Sequence, residues 1–329
     1  MPSNPLLALP EVVEARPRVE DELRLAVQAP TEAMTEMAGH LVGGGKRLRP
    51  LLAVAAAACR AGHTGPVDRD VVRGGVSVEL VQVGSLYHDD VIDEAVTRRG
   101  VESVNSRWGN IRAILSGDFL LARASEIAAS IGTEVAGLLA ATIATLCEGE
   151  VLELNDAYQV DRTEDAYLRS IDGKTAALFS SACRIGAIAG DLPRDEIDLL
   201  TGYGRAYGMA FQVVDDVLDV VATDEQLGKP AGHDLVEGVY TLPVIRALKG
   251  PDADELRSLL GVPIDGAEWQ RALQLVRGSG SLDEAVDVAR SYVVEAHDLL
   301  DPIADRPPVA ALRGAASNLL DGIATIRVA

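Results

Sequence analysis

No proline interrupts the chain between Pro66 and Pro193, although fifteen occur along its 329 residues. Proline removes a backbone donor and clashes with the preceding helical turn, so a stretch this long without it has room for several long helices. Aromatic residues are scarce at 4%, and the apolar material is mostly Ala, Leu and Val, which suits closely packed helices. Basic charge is in deficit: 50 Asp and Glu against 30 Lys and Arg leave a net charge of −20. Nucleic acid is excluded as a partner, because no basic stripe is present to neutralise phosphates. Small anions stay open, since a local cation cluster or a bound metal reverses the field within a cleft.

Only three cysteines occur, Cys59, Cys147 and Cys183, with no Cys-x-x-Cys. An odd, widely spaced set argues against a disulfide framework or zinc site and fits reduced thiols. No apolar run approaches the roughly 20 residues of a membrane span. The first fifteen residues, broken by Pro2, Pro5 and Pro10, do not resemble a secretory signal. The expectation is a cytoplasmic protein without a transmembrane segment.

Helices are expected near 20–28, 31–42, 51–62, 69–93, 105–130, 133–157, 164–171, 175–190 and 194–222. Shorter ones are expected near 241–249, 253–260, 267–278, 282–301 and 308–326. The valine-rich stretch Val71 to Val83 is read as helical, because Val78, Val81 and Ser85 share one helical face and no hairpin turn flanks it. With no linker and no strand alternation, the reading is one all-α domain over residues 19–329, preceded by a loose arm over residues 1–18.

Two copies of one acidic pattern stand far apart: His-Asp89-Asp90-Val-Ile-Asp93 and Val-Asp215-Asp216-Val-Leu-Asp219. On a helix the i and i+4 positions share a face, so each copy gathers carboxylates that repel unless a cation neutralises them. Hard cations, Mg2+ above all, take oxygen ligands and bridge carboxylates to phosphate. One such motif alone is as well read as a solvated helix end, but two, the second in a strongly apolar run, are harder to dismiss. Arg98-Arg99-Gly100 follows the first motif, and such arginines bind phosphate oxygens in bidentate fashion. Lys229 and Asp234 follow the second in a Gly/Pro-rich loop. Gly43-Gly-Gly-Lys46-Arg47-Leu-Arg49-Pro50 adds glycines that admit an anion and three cations, without P-loop spacing. Asp172-Gly-Lys174-Thr175 precedes an apolar helix, where a helix N-terminus would assist anion binding. His88 and His233 adjoin the motifs but lack zinc spacing.

In this order, from Gly43 to Pro243, these elements resemble the trans-isoprenyl diphosphate synthases (polyprenyl synthetase family). The resemblance implies an all-helical bundle around a deep central cavity, usually as a homodimer, with a transient membrane contact for product release. It implies that an allylic diphosphate loses pyrophosphate with help from Mg2+, three ions per site. The double bond of isopentenyl diphosphate then attacks the allylic cation, and the departing pyrophosphate takes up the released proton. By the same resemblance Asp89, Asp90, Asp93, Asp215, Asp216 and Asp219 bind metal, with Asp234 as a water-mediated ligand. Arg98, Lys174, Gln212 and Lys229 hold the allylic diphosphate. Lys46, Arg49 and Arg99 hold isopentenyl diphosphate, with Gln82 near that site. Thr175 and Phe211 line the reacting centre. Many relatives carry Lys after Glu237-Gly238, where this chain has Val239, which puts any role for that lysine in doubt.

Residues one turn before Asp89 are expected to floor the product channel. They are Gly84 and Ser85, with Val81 a turn deeper, none of them aromatic. The first motif also lacks the two-residue insertion seen in many bacterial farnesyl and plastid geranylgeranyl synthases. A product of roughly C30 to C50 is therefore expected, with Phe119 and Phe179 as unplaced candidates for the floor. A farnesyl or geranylgeranyl synthase is the alternative. A class I terpene cyclase is disfavoured by the second Asp-Asp-x-x-Asp and by Gly43–Pro50. A non-catalytic partner subunit is disfavoured because both motifs are intact.

Overall fold

The computed structural model describes residues 4–221 and 232–328, and these are almost wholly helical. After a short 3-10 turn at Pro5–Ala8 come α1 (Pro10–Ala26), α2 (Glu32–Gly39), α3 (Leu48–Ala58) and α4 (Arg69–Ile92). A two-residue antiparallel hairpin, Thr97–Arg98 against Val101–Glu102, follows α4. The middle of the chain forms α5 (Val104–Trp108), α6 (Asn110–Ile131), α7 (Thr133–Asn155) and α8 (Glu164–Ile171). A π turn at Asp172–Ala176 joins α8 to α9 (Ala177–Ala189), and α10 (Arg194–Val221) carries the second motif. The remainder is α11 (His233–Val236), α12 (Leu242–Ala247), α13 (Ala253–Leu259), α14 (Gly266–Gly278), α15 (Ser281–Asp298) and α16 (Pro307–Val328). Each segment expected to be helical has its counterpart, including the valine-rich run inside α4.

The core of the bundle is built from small residues. On α3 every residue from Pro50 to Ala58 is buried, six of them alanine or valine between Ala53 and Ala58. α4 packs most extensively on α6 and also on α3 and α9, while α10 packs on α9, α15 and the π turn. The aspartates lie toward the C-terminal ends of α4 and α10, each fixed by packing on several other helices. Two apolar clusters form the interior, and Tyr292, Leu319 and Leu320 border both.

Two expectations are corrected. Residues 5–18 are not a loose arm: Leu6, Val12 and Ala15 are fully buried, and the 3-10 turn packs on α16. Val12, Ala15, Val19 and Leu23 form one apolar stripe along α1. Pro5 and Pro10 sit in the first turn of their helices, where the missing N–H costs nothing and the fixed φ favours helix, so they start helices here rather than break them. The second correction concerns α7, which by length and composition alone is apolar enough to cross a membrane, with a mean hydropathy of 1.6 over an 18-residue window. It is packed on α6, α8, α9 and the π turn, yet only 28% of that window is buried.

Candidate active site

The first motif ends α4, and its three aspartates face different ways. Asp90 is fully buried; its Oδ1 accepts from Arg98 Nε at 2.5 Å, while its Oδ2 has no hydrogen-bond partner. Asp89 and Asp93, one turn apart, lie partly exposed on the adjoining face. Burial raises the Asp89 pKa to about 7; Glu150 and Asp93 add to that rise, and Lys174 and Arg98 oppose it. Asp93 is raised by burial and by Glu237, against Lys174 and Arg98. The second motif repeats the division only in part. Asp215 is exposed, whereas Asp216 is buried, with Oδ2 accepting from Tyr167 Oη at 2.6 Å and Oδ1 from Gln212 Nε2 at 2.8 Å. Burial lifts Asp216 to about 7 against those two bonds. Asp219 is buried and accepts from the backbone N–H of Asp234 at 3.5 Å. The middle aspartate of each motif is thus turned into the protein by the 100° helical step, leaving Asp89, Asp93 and Asp215 on the open side. Both oxygens of Asp216 thus accept a hydrogen bond from the protein.

Lys174 sits in the π turn, not at a free helix N-terminus. The helical run is continuous from α8 to α9, so the anion-binding argument from an open first turn does not apply. A π turn widens the helix locally and is common at functional positions. Here it brings Lys174 Nζ to Glu150 Oε2 at 2.7 Å and Glu153 Oε1 at 2.5 Å. Burial weakens the hold of Lys174 on its proton, but Glu153 and Glu150 outweigh it and raise the pKa. Next to it, Thr175 Oγ1 donates to Gln212 Oε1 at 2.8 Å, so Thr175, Gln212, Asp216 and Tyr167 form one hydrogen-bonded chain from the π turn through α10 to α8.

The glycine-rich loop forms a second basic corner. Arg47 adopts the left-handed conformation (φ 56°) and turns inward, bonding Glu20 at 2.8 Å and buried Glu79 at 3.2 Å. It shapes the loop and leaves Lys46 exposed. Arg99 donates to the carbonyls of Leu41 and Gly44, both at 3.0 Å. Arg49 lies 4.2 Å over the ring of Phe179, and its Nε has no partner. Burial and neighbouring Arg99 bring its pKa down to about 10 against Glu79. Phe179 contacts Phe211 (5.2 Å between centroids) and Tyr207 (5.3 Å), so it is an aromatic platform beneath Arg49. Gln82 is half-buried one turn after Glu79 on α4.

Lys229 falls outside the described residues. Gly84 packs closely on α6: a Cβ there would lie 3.1 Å from Gly117 O and 3.4 Å from Leu120 Cβ, so its small size serves the α4–α6 crossing. Ser85 is half-buried and Val81 fully buried.

Sequence reading missed Glu79, Glu150, Glu153 and Tyr167. Each acid carried a signal: Glu79 stands in a valine-rich run, and Glu150 and Glu153 lie three apart beside Val151 and Leu152. An acid in such company needs a cationic partner. For Tyr167 no local signal exists.

Among the described residues no three acidic side chains converge on one point as in a preformed cage. The carboxylates of Asp89, Asp93 and Asp215, oxygen donors on an open face with an orphan buried oxygen on Asp90 behind them, fit a hard divalent cation completed by phosphate oxygens. An all-helical bundle with two such patches, a basic corner and an apolar interior defines a prenyl diphosphate-processing site of the isoprenoid synthase fold. A family model described as polyprenyl synthetase matches residues 31–276, and the chain belongs to that family. It is 38% identical over 286 residues to heptaprenyl diphosphate synthase component 2 of Geobacillus stearothermophilus, covering 86% of this chain and 88% of that one. It is 37% identical over 296 residues to nonaprenyl diphosphate synthase of Mycobacterium tuberculosis, covering 88% and 87%. A crystal structure of polyprenyl synthase from Caulobacter crescentus CB15, complexed with calcium and isoprenyl diphosphate, superposes with a TM-score of 0.88 at 33% identity, covering 96% of each chain. The chain is a prenyltransferase of a family that uses isopentenyl and allylic diphosphates and depends on Mg2+.

Proposed function

We propose that the protein condenses isopentenyl diphosphate with an allylic diphosphate and extends it to a trans-polyprenyl diphosphate of roughly C30 to C50. The observation that carries this is the carboxylates at the ends of α4 and α10 together with a separate basic corner, which Arg49 joins to α10 through Phe179 and Phe211. Arg98, Lys174 and Lys229 hold the allylic diphosphate. Lys46, Arg49 and Arg99 hold isopentenyl diphosphate, and Gln82 borders them. Asp89, Asp93 and Asp215 ligate the metals, with Asp90, Asp216 and Asp219 positioning them. Mg2+, three ions per site, supplies Lewis-acid assistance to the departing diphosphate. Thr175 and Phe211 flank the reacting carbons, and the freed pyrophosphate accepts the proton. The absence of aromatics at Ser85 and Val81, together with the heptaprenyl and nonaprenyl relatives, supports a long product. Short-chain synthases share the family, so length has its own test. The exposed faces of α6 and α7 support a homodimer, and the setting is cytoplasmic.

The purified protein is incubated with Mg2+, isopentenyl diphosphate and, separately, dimethylallyl, geranyl, farnesyl and geranylgeranyl diphosphates. A ladder ending at C30 or beyond is expected. A stop at C15 or C20 would leave the condensation standing and overturn the length, and no condensation with any primer would point to a missing partner or a binding role.

A further inference from the structure

Resting on the reading of Lys174 as a diphosphate ligand, a further role emerges on α7. The Lys174 ammonium is already gripped by two carboxylates, Glu150 at 2.7 Å and Glu153 at 2.5 Å. All three side chains are largely enclosed: Lys174 is 33% exposed and each glutamate 18%. Glu150 and Glu153 are three residues apart and so share a face of α7, aimed at the π turn. The backbones come close enough there that a Cβ on Gly149 would lie 2.4 Å from the Lys174 N–H nitrogen. The lysine is held by a rigid seat, not by a chance surface pair. The triad carries a net charge of −1, and its surroundings are also acidic. Glu150 acts on Asp89 and Asp93, and Glu153 on Asp216.

We propose that Glu150 and Glu153 are positioning residues that clamp Lys174 and make diphosphate binding conditional on a divalent cation. An anion arriving alone must break two short ion pairs and face carboxylates from α4, α7 and α10. With a divalent cation among those carboxylates the excess negative charge is offset, and the Lys174 ammonium can turn to phosphate. The clamp keeps the site from filling with metal-free diphosphate or phosphate, which cannot ionise a substrate.

The test is calorimetric titration of the full-length protein with inorganic pyrophosphate, once with chelator and once with Mg2+. Wild type is expected to bind tightly only with Mg2+. The near-isosteric Glu150→Gln/Glu153→Gln variant is expected to gain about tenfold in affinity under chelator, the scale of freeing one ammonium to pair with an anion in a partly exposed site. In a Lys174→Gln background the same pair of substitutions is expected to give no such gain, and Glu153→Asp, which keeps the charge, is expected to retain the metal requirement. Unchanged chelator affinity in the double variant would overturn the clamp. So would a gain that persists without Lys174, or a Glu153→Asp variant that behaves like the glutamine form. Failure of wild type to bind pyrophosphate even with Mg2+ would instead overturn the diphosphate-site reading, and the clamp with it.

Discussion

Burial raises the pKa of both Asp89 and Asp216 to about 7. Their company differs. Asp89 looks onto a half-open face shared with Lys174, whereas Asp216 is tied by Tyr167 and Gln212. A carboxyl whose pKa rises on folding stabilises the fold fully below the ordinary carboxylate range, and that contribution is lost as pH rises through its folded value. In chelator-treated protein the share of stability due to these two groups therefore declines toward pH 7. Metal ligation needs the ionised form of Asp89, so the sign reverses when cation and pyrophosphate are added. The rise in Tm caused by Mg2+ and pyrophosphate should be larger near about pH 7.5 than near about pH 5.5. In Asp89→Asn that pH dependence should flatten, and turnover should drop about a thousandfold, the scale of losing a main electrostatic contact to the transition state. Differential scanning fluorimetry at the two pH values, alongside product assay, checks both parts. Equal shifts in wild type and Asp89→Asn would remove Asp89 from the metal side.

At the level of elements, the contact between α7 and the π turn decides where Lys174 sits. Gly149 and Gly173 meet there almost backbone to backbone; a Cβ on Gly173 would lie 3.0 Å from both Gly149 Cα and Thr145 O. Gly149→Ala should force the helices apart, cost about 1–3 kcal/mol by overpacking, and lower activity beyond what the stability loss explains. Urea unfolding with parallel kinetics checks this, and an unchanged midpoint with full turnover would sink it. Such contacts were only partly legible in the sequence. The helices were, because absent prolines and apolar periodicity act locally. The two Asp-Asp-x-x-Asp motifs and the Gly43–Pro50 loop were legible because each compresses its chemistry into eight residues or fewer. The inward turn of Arg47, the packing role of Gly84 and the bond from Tyr167 to Asp216 were not, because each depends on a partner from 27 to 49 positions away or on another helix. Proline at residues 5 and 10 gave no clear local signal, because its meaning changes sign between the first turn of a helix and its interior.

For the whole molecule, the telling surface lies on α6 and α7. Only Gly132 separates the two helices, so they run antiparallel and the start of α6 lies level with the end of α7. At that level Ile111, Ile114 and Leu115 on one helix, and Val151, Leu152 and Leu154 on the other, are all exposed, Ile111 by 77%. An apolar patch of this kind marks a protein contact more often than bare surface. Sedimentation velocity should find a dimer, and Ile111→Asp/Leu115→Asp should shift it to monomer by placing charge in the contact. A wild-type monomer at assay concentration would remove the homodimer.

The same helix that leaves Val151 and Leu152 exposed presents Glu150 and Glu153 to Lys174. Residues adjacent in sequence, on two faces of one rod, would therefore report on subunit contact and on ligand charge at once. Filling one centre would tug on the seam between copies, and the seam would tug on the other centre. Saturation curves for Mg2+ and pyrophosphate would then depart from a simple hyperbola in the intact assembly and return to one when the seam is broken.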